Sequence, residues 1–151
     1  MRGKIITDVG LSMLLITSSV SYASSEARKY LVYGMDGANC ETEMVHLDNY
    51  AIALLNERQT KAYVIAYGGR RGMARSEMQV RRSRIKRYLV NNRGIDEKRI
   101  TVVDGGFRES LSIELWIVPD GSEIPKTEPT VSAKEVKYRK AKYSFDCSTF
   151  Y

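Results

Sequence analysis

The residues that this chain lacks exclude several kinds of chemistry. It has one histidine, His46, and two cysteines, Cys40 and Cys147. A lone histidine without a nearby cysteine pair gives no zinc ligand set. It also gives no Ser-His-Asp or Cys-His arrangement for nucleophilic catalysis. The carboxylates Glu41 and Glu43 have helix-start spacing, so we interpret them as capping charges rather than a glycosidase pair. We therefore expect no enzyme activity, no metal and no cofactor.

Long apolar runs are also scarce. The one at the N-terminus, residues 9–20, follows Arg2 and Lys4 and precedes small residues at 21–23. This pattern is typical of a cleaved secretory signal peptide, which we predict over residues 1–23. An uncleaved membrane anchor is the alternative. The run is short for a bilayer span and no second candidate follows, so we expect no transmembrane span after signal removal. The mature chain is then periplasmic or secreted.

The charge balance is basic, with 24 Lys and Arg against 18 Asp and Glu and a net charge of +6. The predicted signal carries two positive charges and one negative charge, so the mature chain keeps +5. Such an excess favours anionic partners without choosing among them. Export makes nucleic acid a poor partner, and no base-stacking motif accompanies the basic residues.

The two cysteines predict one disulfide in an oxidising compartment. A bond between Cys40 and Cys147 would tie the C-terminal tail to the start of the domain. Closing so long a loop stabilises a fold by about 4 kcal/mol in the chain-entropy view. Two unpaired thiols are the alternative.

Hydrophobic periodicity predicts an α/β (α+β) domain over residues 24–120. The predicted strands and helices alternate along the chain: strands at 29–35, 62–67, 99–103 and 111–118, and helices at 42–59 and 75–92. The β-α-β-α-β-β order indicates a sandwich of one mixed sheet with two helices on one face. The last two strands are predicted to form a hairpin.

The C-terminal part of the chain has a different composition. Residues 121–132 contain Pro125 and Pro129 among polar residues and are predicted to be a linker. Residues 133–151 form a basic, aromatic tail. We interpret it either as an added edge strand or as a flexible tail.

One candidate site follows from the stretch AYGGRRG, residues 66–72. A glycine-rich turn between a strand and a helix is a common place to hold an anion. The predicted ligand-binding residues are those of the turn and one arginine on the otherwise apolar face of the next helix: Gly68, Gly69, Arg70, Arg71, Gly72 and Arg81. The alternatives are a plain tight turn and an arginine that is half-buried beside a carboxylate. The other basic residues of that helix (Arg82, Arg84, Lys86 and Arg87) are expected mostly to point away from the core.

Three neighbouring segments (80–89, 93–96 and 99–106) carry a family resemblance. They resemble the C-terminal domain of outer membrane protein A, that is, the OmpA-like domains, and the similarity extends at pattern level over about residues 29–119. The resemblance implies non-covalent binding of peptidoglycan, with Arg81 as one half of the grip on the diaminopimelate of the stem peptide. The family's acidic half falls on Gly69, so it is missing here.

These observations give two predictions of function. The leading one is an exported, non-enzymatic binding module for peptidoglycan or another anionic envelope component. The alternative is an OmpA-like scaffold that has lost this site and acts as a structural domain or binds another envelope protein. The first needs Arg81 to be reachable and unpaired in a concave site. The second expects it in a salt bridge or beneath the tail.

Overall fold

The computed structural model describes residues 26–34, 40–140 and 143. The predicted signal peptide and Cys147 lie outside these residues, so signal cleavage and the disulfide stay predictions. Within the described ranges, no helix is both long enough and apolar enough to cross a membrane.

The predicted order of strands and helices is confirmed. The strands are β1 (Arg28–Gly34), β2 (Thr60–Gly69), β3 (Ile100–Arg108) and β4 (Ser112–Pro119). The helices are α1 (Cys40–Asn56) and α2 (Glu77–Arg87), and a π-helical turn, Tyr88–Asn92, continues α2. Short 3-10 turns cover Glu97–Arg99 and Ala133–Glu135. Strands β2 and β3 both extend beyond their predicted ends, so glycines expected in loops belong to the sheet.

The four strands form one mixed sheet in the order β1-β4-β2-β3. Strand β4 is antiparallel to both β1 and β2, whereas β3 runs parallel to β2 at the edge. The predicted hairpin of the last two strands is therefore wrong. Residues 109–111 carry the chain across the end of β2, and β4 then hydrogen-bonds to a strand on each side.

Both helices pack on one face of this sheet. Helix α1 buries Leu47, Tyr50 and Leu54 in the same apolar core as Ile85 of α2 and Leu115 of β4. These positions recur with helical spacing in α1, as the periodicity predicts.

A buried salt bridge between Glu43 and Arg84 joins the two helices, and both side chains are almost fully buried. Glu43 lies in the first turn of α1, as predicted, but it is buried and pairs with Arg84. The prediction that Arg84 points away from the core is wrong. Because isolated buried charges are costly, helices that bring these two side chains into the interior must pair them.

The opposite face of the sheet is covered by the segment predicted to be a linker. Tyr67 lies on this face, and its hydroxyl accepts a hydrogen bond from Glu128 N at 3.1 Å. Thr130 N donates to Phe107 O at 2.9 Å. The segment is irregular, as its composition indicates, but it is bound along the sheet.

A buried carboxylate, Glu114, lies on the same face. It accepts hydrogen bonds from Lys29 Nζ at 3.1 Å, Arg108 Nη1 at 2.9 Å and Trp116 Nε1 at 3.0 Å. Burial opposes ionisation of Glu114, but these three donors outweigh it and lower its pKa. The Arg108 guanidinium also stacks on Tyr67, 3.5 Å from the ring centroid. These contacts connect β1, β3 and β4.

Candidate functional site

Gly68 and Gly69 are the last two residues of β2 rather than part of the turn. They pair with Phe107 and Arg108 of the parallel strand β3. A Cβ at Gly68 would lie 2.8 Å from the Phe107 ring, and one at Gly69 would lie 3.0 Å from Leu111 N. These close approaches give both glycines a packing reason that requires no ligand.

The turn itself is reduced to residues 70–72. Gly72 has a φ of 77°, which favours glycine, and its N–H donates to Lys137 O at 3.2 Å. Arg70 N donates to Glu109 O at 3.2 Å, and the Arg70 side chain pairs with Glu109 and Glu135 at 3.1 and 3.2 Å. The backbone amides of Arg70 and Gly72 are thus bonded to backbone carbonyls and are not directed at a ligand.

Arg81 lies on the inner face of α2, as predicted, and only 6% of its surface is exposed. Its Nε and Nη2 donate to Glu77 Oε1 at 3.2 and 2.8 Å. The other oxygen of Glu77 accepts from Ala74 N at 3.1 Å. Above the guanidinium lies Tyr143, with its ring centroid 5.1 Å away. Sequence reasoning missed Glu77, although a Glu four residues before an Arg on one helix face is a recognisable pair.

Residues 136–139, called the C-terminal segment below, lie beside the turn and Glu77. Lys137 N donates to Arg70 O at 2.8 Å, and Arg139 N donates to Met73 O at 3.0 Å. The Arg139 guanidinium lies 3.5 Å from Glu77 Oε2. The tail therefore runs along the turn as a short parallel addition next to Arg71. Beyond residue 140 only Tyr143 is described, so the edge-strand and flexible interpretations of the whole tail both stay predictions.

A cavity of about 210 Å³ remains between the turn, α2 and the β3–β4 connection. Its charged lining residues are Arg71, Glu77, Arg81 and Glu109, beside Gly69 and Ser110. Two cations and two carboxylates suit a group with both signs of charge better than a simple anion. The structure thus gathers most of the predicted site residues but adds acidic partners to them.

The basic residues of α2 are largely compensated inside the domain. Arg82 pairs with Asp104, and Lys86 pairs with Glu97 at 2.8 Å. Arg84 forms the buried pair with Glu43. These pairs weaken the local positive potential that the sequence indicates, so the helix offers less attraction to an anionic surface.

Neither His46 nor the carboxylates form a metal cluster in the described part of the chain, where no group of three or more ligating side chains occurs. The His46 ring instead packs against Tyr33, with ring centroids 4.9 Å apart. A second, more open cavity of about 520 Å³ lies near Trp116, lined by residues 26–27 and 121–126.

Comparison with known proteins finds no matching protein-family model and no significant match among curated proteins. The resemblance to OmpA-like domains therefore rests on the segments quoted above and on the agreement in the order of strands and helices. It stays a prediction.

Proposed function

We propose that this chain is an exported, non-enzymatic domain of the OmpA-like kind that acts as a protein-interaction or structural domain and does not bind peptidoglycan. The observation that supports this most is the environment of Arg81, which is buried, bound to Glu77 and packed against the Tyr143 ring. This is the arrangement that we expect of a scaffold whose ancestral site is closed.

The energetics favour this choice over ligand binding. A ligand carboxylate that reached Arg81 would compete with Glu77, which is only 6% exposed. Displacing Glu77 would leave a buried carboxylate without its main partner, which costs about 3–5 kcal/mol. The ligand would also have to move Arg139 and Tyr143 from the same place. Much of the binding energy would be lost in this exchange.

Co-sedimentation with purified peptidoglycan sacculi tests the proposal. The mature protein and an Arg81→Ala variant are mixed with sacculi, with an established peptidoglycan-binding OmpA-like domain as the positive control. We expect both proteins to stay in the supernatant while circular dichroism shows them folded. Native protein in the pellet would contradict the proposal, and a soluble Arg81→Ala variant would then show that Arg81 makes the contact.

The second candidate function is a cell-wall binding module, which the mixed-charge cavity favours. Glu77 places a carboxylate beside Arg81 and so supplies an acidic group that Gly69 does not. If this function is correct, native protein pellets with sacculi, and Glu77→Gln and Arg81→Lys each reduce the pelleted fraction. Glu135→Gln, which alters an exposed partner of Arg70 outside the cavity lining, serves as the matched control.

A further inference from the structure

The C-terminal segment binds the turn as one extended chain binds another. Lys137 uses both its N–H and its C=O, bonding to Arg70 O and Gly72 N, and Arg139 N continues to Met73 O. Backbone groups two residues apart on the segment thus bond to backbone groups of residues 70–73. This is the hydrogen-bond pattern by which an added strand is recognised.

The side chains of the segment alternate as those of a bound strand do. Val136 and Tyr138 are partly buried against the core, whereas Lys137 and Arg139 are exposed. Arg75 lies over the Tyr138 ring, 4.6 Å from its centroid. Glu77 receives the Arg139 guanidinium at 3.5 Å. The surface therefore selects two apolar side chains and one cation at fixed spacing.

The segment is anchored upstream of these contacts. Ser132 and Glu135 form a capping box around the 3-10 turn, and Val131 is buried and bridges to Phe107. Residues 136–139 follow this anchor and, unlike the central strands, have only this short run of backbone bonds. They can therefore leave the turn while the sheet stays intact.

We propose that residues 70–73 and Glu77 form a docking groove for an extended peptide, which residues 136–139 occupy within the same chain. The partner that fits is an extended segment of another protein with an apolar residue, an aromatic residue two positions later and a cation directly after it. This proposal rests on the protein-interaction role proposed above, and it identifies the surface that makes the interaction.

The test uses the full mature chain and a fluorescent peptide spanning residues 132–140. Lys137→Pro removes the N–H that bonds to Arg70 O, while the exposed side chain makes no buried contact. The preceding Val136 has φ −73° and ψ 125°, a conformation that proline tolerates in its neighbour. Lys137→Ala keeps the N–H and is the matched control. Tyr138→Ala removes a partly buried ring instead of a backbone bond, and it should also release the segment from the groove.

Fluorescence anisotropy should show that Lys137→Pro and Tyr138→Ala bind the peptide at least about tenfold more tightly than the native protein or Lys137→Ala, because the groove is occupied less often within the chain. A peptide that itself carries Lys137→Pro should not bind. A peptide with Arg139→Ala should bind several-fold more weakly, which is the effect expected from the loss of one exposed ion pair.

Equal binding by all four proteins, or no binding by folded Lys137→Pro and Tyr138→Ala, would overturn the docking groove. The sacculi experiment reports separately on the proposed function. Pelleting of the native protein refutes that function whatever the peptide does, and a failed peptide experiment with soluble protein refutes only the groove.

Discussion

Glu114 and Glu77 are both buried carboxylates, 2% and 6% exposed, on opposite faces of the sheet. The partners of Glu114 come from three different strands. Those of Glu77 are Arg81 on its own helix, the amide of Ala74 and Arg139 of the C-terminal segment. The backbones that carry the partners of Glu114 are therefore held in place by the sheet itself. Glu77 can exchange one of its partners by a local movement.

This difference separates a structural ion network from a candidate site. Both carboxylates satisfy the rule that buried charges are paired. Of the two, Glu77 lines the cavity of about 210 Å³ and contacts Arg139 of the C-terminal segment. Burial and pairing alone therefore do not identify a functional carboxylate. A clearer criterion is whether its partners lie on the strands of the sheet or on a helix and a peripheral segment.

The largest expected effect concerns the predicted disulfide between the C-terminal tail and Cys40, the first residue of α1. If Cys147 is bonded to Cys40, Cys147→Ser should lower the free energy of unfolding by about 4 kcal/mol, because the unfolded chain regains a long loop. Urea denaturation with and without reducing agent measures this. Reducing agent should leave the variant unchanged, and two titratable thiols in the unfolded native protein would contradict the disulfide.

Glu114→Gln should have the next largest effect. It removes the negative charge that Lys29 and Arg108 face, and we expect a loss of about 2–3 kcal/mol, less than for a fully buried pair because both cations are partly exposed. Urea denaturation measures the loss. Asp120→Asn, which breaks an exposed pair with Lys61, is the control and should cost below about 1 kcal/mol. Equal effects would show that the network adds no stability.

Glu77→Gln should destabilise less than Glu114→Gln, by about 1–2 kcal/mol, since the amide oxygen still accepts from Arg81 and the adjoining cavity admits water. Its distinctive effect should be local. Hydrogen exchange of the Gly72 and Lys137 amides should accelerate, because Arg139 loses its ionic partner. If hydrogen exchange accelerated uniformly across the sheet, Glu77 would be part of the structural ion network, as Glu114 is, and not of a local site.

Gly69→Ala should cost about 1–2 kcal/mol, because the added methyl group would press against Leu111 N at 3.0 Å. Gly34→Ala is the matched control, since its methyl group would meet Leu111 O at an ordinary 3.9 Å. Thermal denaturation compares the two. A neutral Gly69→Ala would mean that the crossing of residues 109–111 over β2 is looser than the structure indicates.

The sequence predicted the order of strands and helices and the inner position of Arg81, because these depend on local periodicity. It did not predict that β4 lies between β1 and β2, since strand order depends on contacts between distant residues. The partners of Arg84 and Arg139 were missed for the same reason. Gly69 was interpreted through a family motif, whereas its packing against Leu111 is visible only once the chain is folded.

The smallest effect should appear in the pH dependence of stability. The pKa of Glu114 is lowered in the folded protein, so its ionised form stabilises the fold well above the unfolded value of about 4.3. As the pH falls below that value towards the folded pKa, the unfolded chain binds the proton first. The advantage of native protein over Glu114→Gln should then shrink.

Urea denaturation of both proteins between about pH 7 and 3 would show this decrease. Glu57 offers an exposed comparison, since a hydrogen bond from Arg28 lowers its pKa as well. The difference between native protein and Glu57→Gln should have the same sign, be smaller and disappear at high salt, whereas that for Glu114→Gln should persist in salt. A difference for Glu114→Gln that stays constant down to pH 3 would mean that its charge does not stabilise the fold, and that packing alone holds this face of the sheet.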